Sequence, residues 1–249
     1  MLPAATLVAV LLFGAVIAEA THSWGSYHWA RTSNPFTIKL GDNVSSTWDS
    51  YLHTASTDWS VSNVLDNTVV TSSAGRSCKA TAGMVQVCNA KYGANGWLGL
   101  AQIWISGSHI TKGVAKMNDT YFNLSAYNNP DEKQHVMCQE IGHTFGLGHT
   151  SEDGSSQSTC MDYSNSPNST HPNQHDYDQL ALIYAHLDDT TTVSATKAAG
   201  ASALAQSGDF ENASEWGKEI SRSANGRESV FERDLGNGNK VLTHVTWAN

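Results

Sequence analysis

The eleven residues from Gln139 to His149 constrain this chain more than any other segment. They read Gln-Glu-Ile-Gly-His-Thr-Phe-Gly-Leu-Gly-His. On a helix, positions 139 and 143 stand one turn apart on the same face, so both side chains can reach one metal ion. Gly146 lets the chain leave the helix in a tight turn, after which His149 can return to the same point. The spacing therefore predicts a metal site at the end of a helix.

The residues before this run carry the signals of a helix start. Asn129 is a good N-cap, and Pro130 suits the first helical position. Asp131 and Glu132 complement the positive end of the helix dipole. We therefore predict a helix over residues 130 to 145.

The residue types in the run are those of a catalytic zinc site, which usually has three protein ligands and one open position. We expect Gln139, His143 and His149 to be the ligands. Glu140 stands beside them and can take a proton from a water held at the metal. Glutamine offers an amide oxygen where histidine offers a ring nitrogen, so we expect weaker metal binding than three histidines would give. His135 cannot share the ion with His143, because the helical rise separates them by about 12 Å.

A second motif, Cys160-Met161-Asp162-Tyr163, follows the first. Together the two resemble the metzincin clan of zinc endopeptidases, in which a turn containing a methionine lies under the metal. Met161 matches that methionine, and Tyr163 matches a tyrosine that can approach the metal in some branches of the clan. The chain is also similar to secreted metzincin-like zinc metalloproteases of fungi and bacteria in three segments, at residues 97–101, 118–122 and 139–144.

The resemblance implies an α/β (α+β) metzincin-like fold. A twisted mixed sheet and the active-site helix would form the upper part, and a small C-terminal subdomain would carry the Met-turn. It also implies a secreted zinc metalloendopeptidase, in which Zn²⁺ held by Gln139, His143 and His149 activates a bound water. Glu140 would be the general base. Tyr163 would stabilise the oxyanion or occupy a metal position, although packing within the Met-turn explains it equally well.

Two other interpretations stay open. The glutamine could make the metal site degenerate, and the protein would then be a secreted pseudoprotease with a binding or regulatory role. Alternatively, the histidines could have structural roles only, but the joint spacing of Glu140, His143, His149 and Met161 disfavours this. The presence of Glu140 favours an enzyme, because metal binding alone does not need a base.

The first twenty residues read as a cleaved signal peptide. An apolar run from Leu7 to Ile17 precedes Ala18-Glu19-Ala20, which supplies small residues for cleavage before Thr21. The alternative is an uncleaved anchor. We expect a secreted, extracellular protein, with glycosylation sequons at Asn43, Asn118, Asn123, Asn168 and Asn212.

The four cysteines fit this compartment, since an even number in a secreted chain suggests two disulfides. Three pairings are possible. We favour Cys78–Cys88 for its short loop. We favour Cys138–Cys160 because it would tie the active-site helix to the Met-turn.

The net charge of −9 gives no reason to expect nucleic acid or an anionic membrane as a partner. We expect a monomer with a protein or peptide substrate. The predicted organisation is a signal peptide (1–20), a metalloprotease domain (21–190), and a linker with a docked C-terminal β-hairpin (191–249).

Within the domain, residues 43 to 57 show the apolar spacing of a core helix, and residues 97 to 106 are rich in strand formers. The second segment could be an edge strand that pairs with a peptide substrate, or a buried strand without a ligand. Asn173 is expected to cap a later helix. We interpret His171, His175 and His186, which flank that helix, as structural or exposed residues.

Overall fold

The fold is built on one mixed β-sheet of nine strands. The computed structural model describes residues 22–151, 153–164, 166–195 and 210–248. Its strands are β1 (His28–Trp29), β2 (Phe36–Asn43), β3 (Leu65–Thr71), β4 (Val85–Ala90), β5 (Trp97–Ser106), β6 (His109–Asn118), β7 (Lys218–Arg222), β8 (Glu228–Gly236) and β9 (Asn239–Trp247).

Eight of the strands follow the order β3-β2-β4-β6-β5-β9-β8-β7, and β1 pairs with one end of β6. Strands β3, β2, β4 and β6 run parallel to one another. From β6 through β5 and β9 to β7, every pairing is antiparallel. The predicted mixed sheet is therefore observed, within a general α+β architecture.

The helices are α1 (Asp49–Trp59), α2 (Asp119–Phe122), α3 (Pro130–His143) and α4 (Gln174–Ile183), with a short 3-10 turn at Ala213–Glu215. The prediction for α3 is confirmed at its start, where the Asn129 side chain accepts a hydrogen bond from the amide of Glu132. The helix ends at His143, two residues before the predicted boundary. Gly146 then has a φ of 95°, a left-handed conformation that glycine adopts without strain.

Helix α3 lies at the centre of the molecule, because every residue from Gln134 to His143 is buried. It packs against α1 and against the sheet through an apolar core that includes Trp59, Ile103 and Ile141. The other face of the sheet carries a second apolar cluster, which includes Trp104 and Val245. The sheet is thus covered on both faces, as the burial of all but the last residue of β5 requires.

The other helix predictions are confirmed with shifted boundaries. The core helix expected over residues 43 to 57 is α1, which begins later, at Asp49, and buries Leu52, Ala55 and Trp59. Asn173 caps α4, and the carboxylate of Asp176 completes the capping box from the third helical position.

Both favoured disulfide pairings are observed. The Cys78 and Cys88 sulfurs are 1.92 Å apart, and those of Cys138 and Cys160 are 1.95 Å apart. The second bridge joins α3 to the turn that carries Met161. It therefore fixes the helix that bears the predicted ligands against the Met-turn.

The C-terminal hairpin is formed by β8 and β9 and is docked on the rest of the fold. Strand β9 pairs along the whole length of β5. Strand β5 therefore lies between β6 and β9 and has no free edge for a peptide, which contradicts the interpretation of residues 97 to 106 as an edge strand. The predicted signal peptide and most of the predicted linker lie outside the described residues.

One predicted glycosylation site is wrong. Asn118 is fully buried, and its side-chain amide donates to the carbonyl oxygens of Gly93 and Trp97 and to the side chain of Asn95. A buried amide with these contacts cannot carry a glycan. Among the described residues, no helix has the length and apolar character needed to cross a membrane.

Gly142 allows α3 to approach its neighbours closely, and this generates a stability prediction. A Cβ atom there would lie 2.6 Å from the Trp59 ring and 2.7 Å from the Met161 sulfur. We expect Gly142→Ala to lower the free energy of unfolding by about 1–3 kcal/mol. Alanine stabilises a helix relative to glycine by about 1 kcal/mol. Any decrease in the free energy of unfolding must therefore come from packing.

Urea denaturation measures this effect, with Ser50→Ala on the exposed face of α1 as the control. The control should change the free energy of unfolding by less than about 0.5 kcal/mol. Equal or greater stability of Gly142→Ala would show that the contact with Met161 does not limit the packing of α3.

Candidate metal centre

Three buried imidazoles converge beside the end of α3. They belong to His143, His149 and His244; residues 143 and 244 are fully buried, and residue 149 is partly buried at the edge of a cleft. One potential ligand nitrogen from each ring lies within 4.8 Å of the others. The ring centroid of His143 is 3.8 Å from that of His244 and 4.5 Å from that of His149. The arrangement brings together two residues that the motif predicts and one that it does not contain.

His143 is the last residue of α3, and its ring is oriented by the turn that follows. Its Nδ1 atom lies 2.9 Å from the carbonyl oxygen of Leu147. The indole of Trp24 stacks on the other side, with a centroid distance of 4.9 Å and an interplanar angle of 6°. The backbone amide of Trp24 donates to the carbonyl oxygen of Gly146, so the same turn also positions the Trp24 indole against the His143 ring.

His149 is fixed by the Met-turn. Its Nδ1 atom lies 2.8 Å from the hydroxyl of Tyr163. The backbone amide of Thr150 donates to the carbonyl oxygen of Met161, which joins the two segments. Met161 is fully buried beneath α3. Tyr163 is therefore in contact with the centre, where it orients one ring.

His244 reaches the centre from β9. Because side chains alternate across a strand, Leu242, His244 and Thr246 face α3, whereas Val241 and Val245 join the apolar cluster on the other face. The Nδ1 atom of His244 lies 3.0 Å from Oε2 of Glu140.

The other ring nitrogen, Nε2, is the atom that the three rings leave for a ligand. The Nε2 atoms of His143 and His149 have no hydrogen-bond partner among the described residues. The Nε2 atom of His244 lies 2.8 Å from Oε2 of Glu228, at an angle outside that of a directed hydrogen bond. Histidines that bind metal commonly donate their second nitrogen to a carbonyl or carboxylate, as Nδ1 of His143 and of His244 can here.

Gln139 is placed differently from the prediction. Its amide nitrogen donates to the backbone carbonyl of Asp162 at 3.0 Å, and its amide oxygen accepts from the hydroxyl of Thr246 at 3.2 Å. Both ends of the amide are thus engaged with the Met-turn and β9. The assignment of Gln139 as a metal ligand stays a prediction, and these contacts do not support it.

Glu140 and Glu228 lie on opposite sides of the His244 ring and share a contact with Thr246. The Thr246 hydroxyl oxygen is 2.7 Å from Glu140 Oε1 and 3.0 Å from Glu228 Oε2. The hydroxyl has only one hydrogen, so it can donate to only one of these oxygens at a time. Burial raises the pKa of Glu228, and the neighbouring His244 opposes that rise.

Burial also sets the protonation of the histidines. It lowers the pKa of His143 and of His149 far below the usual value, and repulsion between the neighbouring rings lowers both further. Both are therefore neutral, which is the form that binds metal. Burial alone would lower the pKa of His244 too, but the carboxylates of Glu140 and Glu228 outweigh it and raise the pKa to about 9.

An open cleft of about 280 Å³ reaches the edge of the centre at His149. Trp24, Leu242, and the β7 and β8 side chains Ile220 and Val230 are among the residues that line it. The cleft therefore gives a ligand from solvent access to the His149 side of the centre.

Sequence reasoning missed His244 and Glu228. Both lie in the segment that was interpreted as a docked hairpin, and the alternation in Leu242-Thr243-His244-Val245 does predict that His244 points away from the valine. The pairing of β9 with β5 determines which face of β9 lies against α3. No local sequence pattern predicts that pairing.

Comparisons with known proteins add no assignment: no protein-family model matches this chain, and no curated protein matches it significantly.

The Thr246 hydroxyl generates a prediction about the stability of this centre. We expect Thr246→Val to lower the free energy of unfolding by about 1–3 kcal/mol, because the isosteric methyl leaves buried carboxylate oxygens without a partner. The matched control is Thr68→Val on the exposed side of β3. Denaturation of both variants should separate them, and an equal effect would show that the hydroxyl does not bind the two glutamates together.

Proposed function

We propose that this protein is a zinc-dependent hydrolase of peptide bonds, and that His143, His149 and His244 hold its metal. The proposal rests on one observation, the convergence of three buried imidazoles at the end of α3. Two of these residues are the histidines of the motif. The third, His244, comes from β9 and would be the metal ligand that the motif predicts at position 139.

The residues present suit a zinc ion. Two of the rings are neutral, and their Nε2 atoms are buried without a hydrogen-bond partner among the described residues. The third ring, His244, has a pKa of about 9, so zinc would have to displace the proton on its Nε2 atom. Leaving a buried polar atom unpaired costs about 1–3 kcal/mol, so a ligand at these nitrogens would account for an arrangement that is otherwise unfavourable. Three nitrogen ligands with a remaining position also match the composition of catalytic zinc sites.

The two glutamates have different positions and therefore different proposed roles. Glu140 contacts Nδ1 of His244 and so orients the ring from behind. Glu228 lies beside Nε2, the nitrogen of the same ring that would bind the metal. We therefore assign Glu228 as the proton acceptor and Glu140 as a positioning residue, which differs from the role that the motif gives to Glu140.

A bound zinc ion would polarise the scissile carbonyl and make a nearby water more acidic. Glu228 would take the proton of that water and return it to the leaving amine. Its raised pKa suits both steps, because a carboxylate with a raised pKa is a stronger base than an ordinary glutamate. Tyr163 would keep the His149 ring in position.

A second candidate function is zinc binding without turnover. It is favoured by the burial of all three imidazoles and by β9, which occupies the edge of β5 that could otherwise pair with a peptide. Structural zinc sites are closed, whereas catalytic sites keep a position open. On this account the protein would be a binding or regulatory relative of a peptidase.

Metal analysis distinguishes the ligand sets. We expect His244→Ala to remove one equivalent of tightly bound zinc, and Gln139→Leu to retain it. His53→Ala, at an exposed position on α1, is the control and should retain the full zinc content. Loss of zinc in Gln139→Leu with retention in His244→Ala would restore the glutamine as the ligand and remove the basis of the proposal.

Cleavage of a fluorescence-quenched peptide library tests the activity and the roles of the carboxylates. At saturating zinc, we expect Glu228→Gln to lower kcat by about 10²–10⁴-fold. Glu140→Gln should lower zinc affinity by about 10–100-fold, with activity largely restored by excess zinc. Glu219→Gln on β7 is the control.

The opposite pattern, with loss of kcat in Glu140→Gln only, would reverse the two roles. If the purified protein holds zinc at the buried centre but cleaves no peptide in the library, the second candidate function is the correct one.

A further inference from the structure

A second group of potential metal ligands lies apart from the three converging imidazoles and shares no residue with them. It consists of His28 in β1, His109 at the start of β6, and Asp188, which follows α4. His186 stands next to them. We infer that His28, His109 and Asp188 form a second zinc site with a structural role, and that the more exposed His186 completes it.

The fold brings these residues together through backbone pairing. His28 and His109 are register partners in the parallel pairing of β1 with β6. The segment with Asp188 runs beside β1, because the Asp188 amide donates to the carbonyl oxygen of Arg31 and the Thr192 amide to that of Ala30. Three parts of the chain that are distant in sequence therefore meet at this point.

The distances from Asp188 to the three imidazoles are close to those between the ligands of one zinc ion, although the His186 side chain would have to turn toward His109. Asp188 Oδ1 lies 3.1 Å from Nε2 of His109, 3.4 Å from Nε2 of His28 and 3.7 Å from Nε2 of His186. The Nε2 atoms of His28 and His186 are 3.1 Å apart. Tetrahedral zinc with bonds of about 2.0–2.1 Å holds its ligand atoms about 3.3 Å from one another.

Hydrogen bonds on the far sides of the groups turn these atoms inward. Nδ1 of His28 lies 2.7 Å from the carbonyl oxygen of Ser26, and a carbonyl can only accept, so this nitrogen carries the hydrogen. In the neutral ring, Nε2 then presents its lone pair to the carboxylate oxygen of Asp188. A metal ion bound by both atoms, or a proton on the ring, would remove the repulsion between these two electron-rich atoms.

The carboxylate of Asp188 is held from its other side. Its Oδ2 atom accepts from the guanidinium of Arg31 at 2.8 Å and from the Arg31 backbone amide at 3.2 Å. Arg31 is itself almost completely buried. The contacts leave Oδ1 free to face the three imidazoles, as expected of a carboxylate ligand supported by neighbouring hydrogen bonds.

An ion can reach the site from solvent. The side chains of His28 and Asp188 are 6% and 10% exposed, whereas those of His109 and His186 are 33% and 52% exposed. The buried side chains of His28 and Asp188 would therefore have fixed positions, whereas the more exposed side chains of His109 and His186 could move to bind the ion. With His186 as the fourth ligand, three nitrogens and one carboxylate oxygen would leave no position for a substrate, which is the composition of a structural zinc site.

Metal stoichiometry and thermal stability test this inference without any measurement of activity. The metal-free full chain is titrated with Co²⁺ and followed by visible absorption, and its zinc content is measured after reloading and dialysis. We expect two ions per wild-type chain. His109→Ala should bind one, and His53→Ala, with its exposed histidine outside either site, should bind two.

The double variant His143→Ala/His149→Ala keeps the second site and should bind one ion, which should raise its Tm. If His109→Ala fails to fold, His186→Ala provides a milder test, because its side chain is half exposed; we expect zinc affinity at this site to fall at least tenfold.

Failure of each site gives a different result. If only the buried centre binds zinc, the wild type takes up one ion and His109→Ala retains it, which overturns the present inference. If only the second site binds zinc, the single ion is lost in His109→Ala and retained in His244→Ala. A cluster held together by a protonated imidazole alone would take up no metal in the double variant and would show no rise in Tm.

Discussion

The antiparallel pairing of β9 with β5 is the interaction on which the rest of this structure depends. It extends the sheet beyond β5 and anchors the C-terminal hairpin against α3. Because side chains alternate along β9, the same register buries Val245 on one face and points His244 and Thr246 into the centre on the other. A shift by one residue would exchange these faces and dismantle the centre, since the side-chain period of a strand is two.

The glutamine at position 139 has a structural role in this setting. Glutamine has a donor and an acceptor at the end of one side chain, and Gln139 uses both to join the Asp162 carbonyl to the Thr246 hydroxyl. It therefore connects the Met-turn to β9, while His244 supplies an imidazole from the opposite direction. Position 139 therefore contributes hydrogen bonds between segments, and it is His244 that contributes the third imidazole. The same hairpin also brings Glu228, a buried carboxylate that a helix motif alone does not supply.

Sequence patterns were sufficient for the parts of the fold that are encoded locally. The Asn129 cap, the Gly146 turn, the β8–β9 hairpin and both disulfides follow from residues close to one another or from the resemblance. The third imidazole does not, because Glu140 and His244 are 104 positions apart and meet only through the sheet. The burial of Asn118 could not be predicted for the same reason. A sequon is a local sequence pattern, whereas the burial of its asparagine depends on segments that are distant in sequence.

The late position of His244 in the chain has a consequence for how the centre is made. The helix and the turn with His149 can form during synthesis, when β9 has not yet emerged from the ribosome. Two imidazoles alone hold zinc weakly, so an early-folding intermediate would not compete well for the ion. Binding of the proposed zinc ion would thus require the pairing of β9 with β5. Only chains that have been synthesised and folded through β9 would then retain the ion.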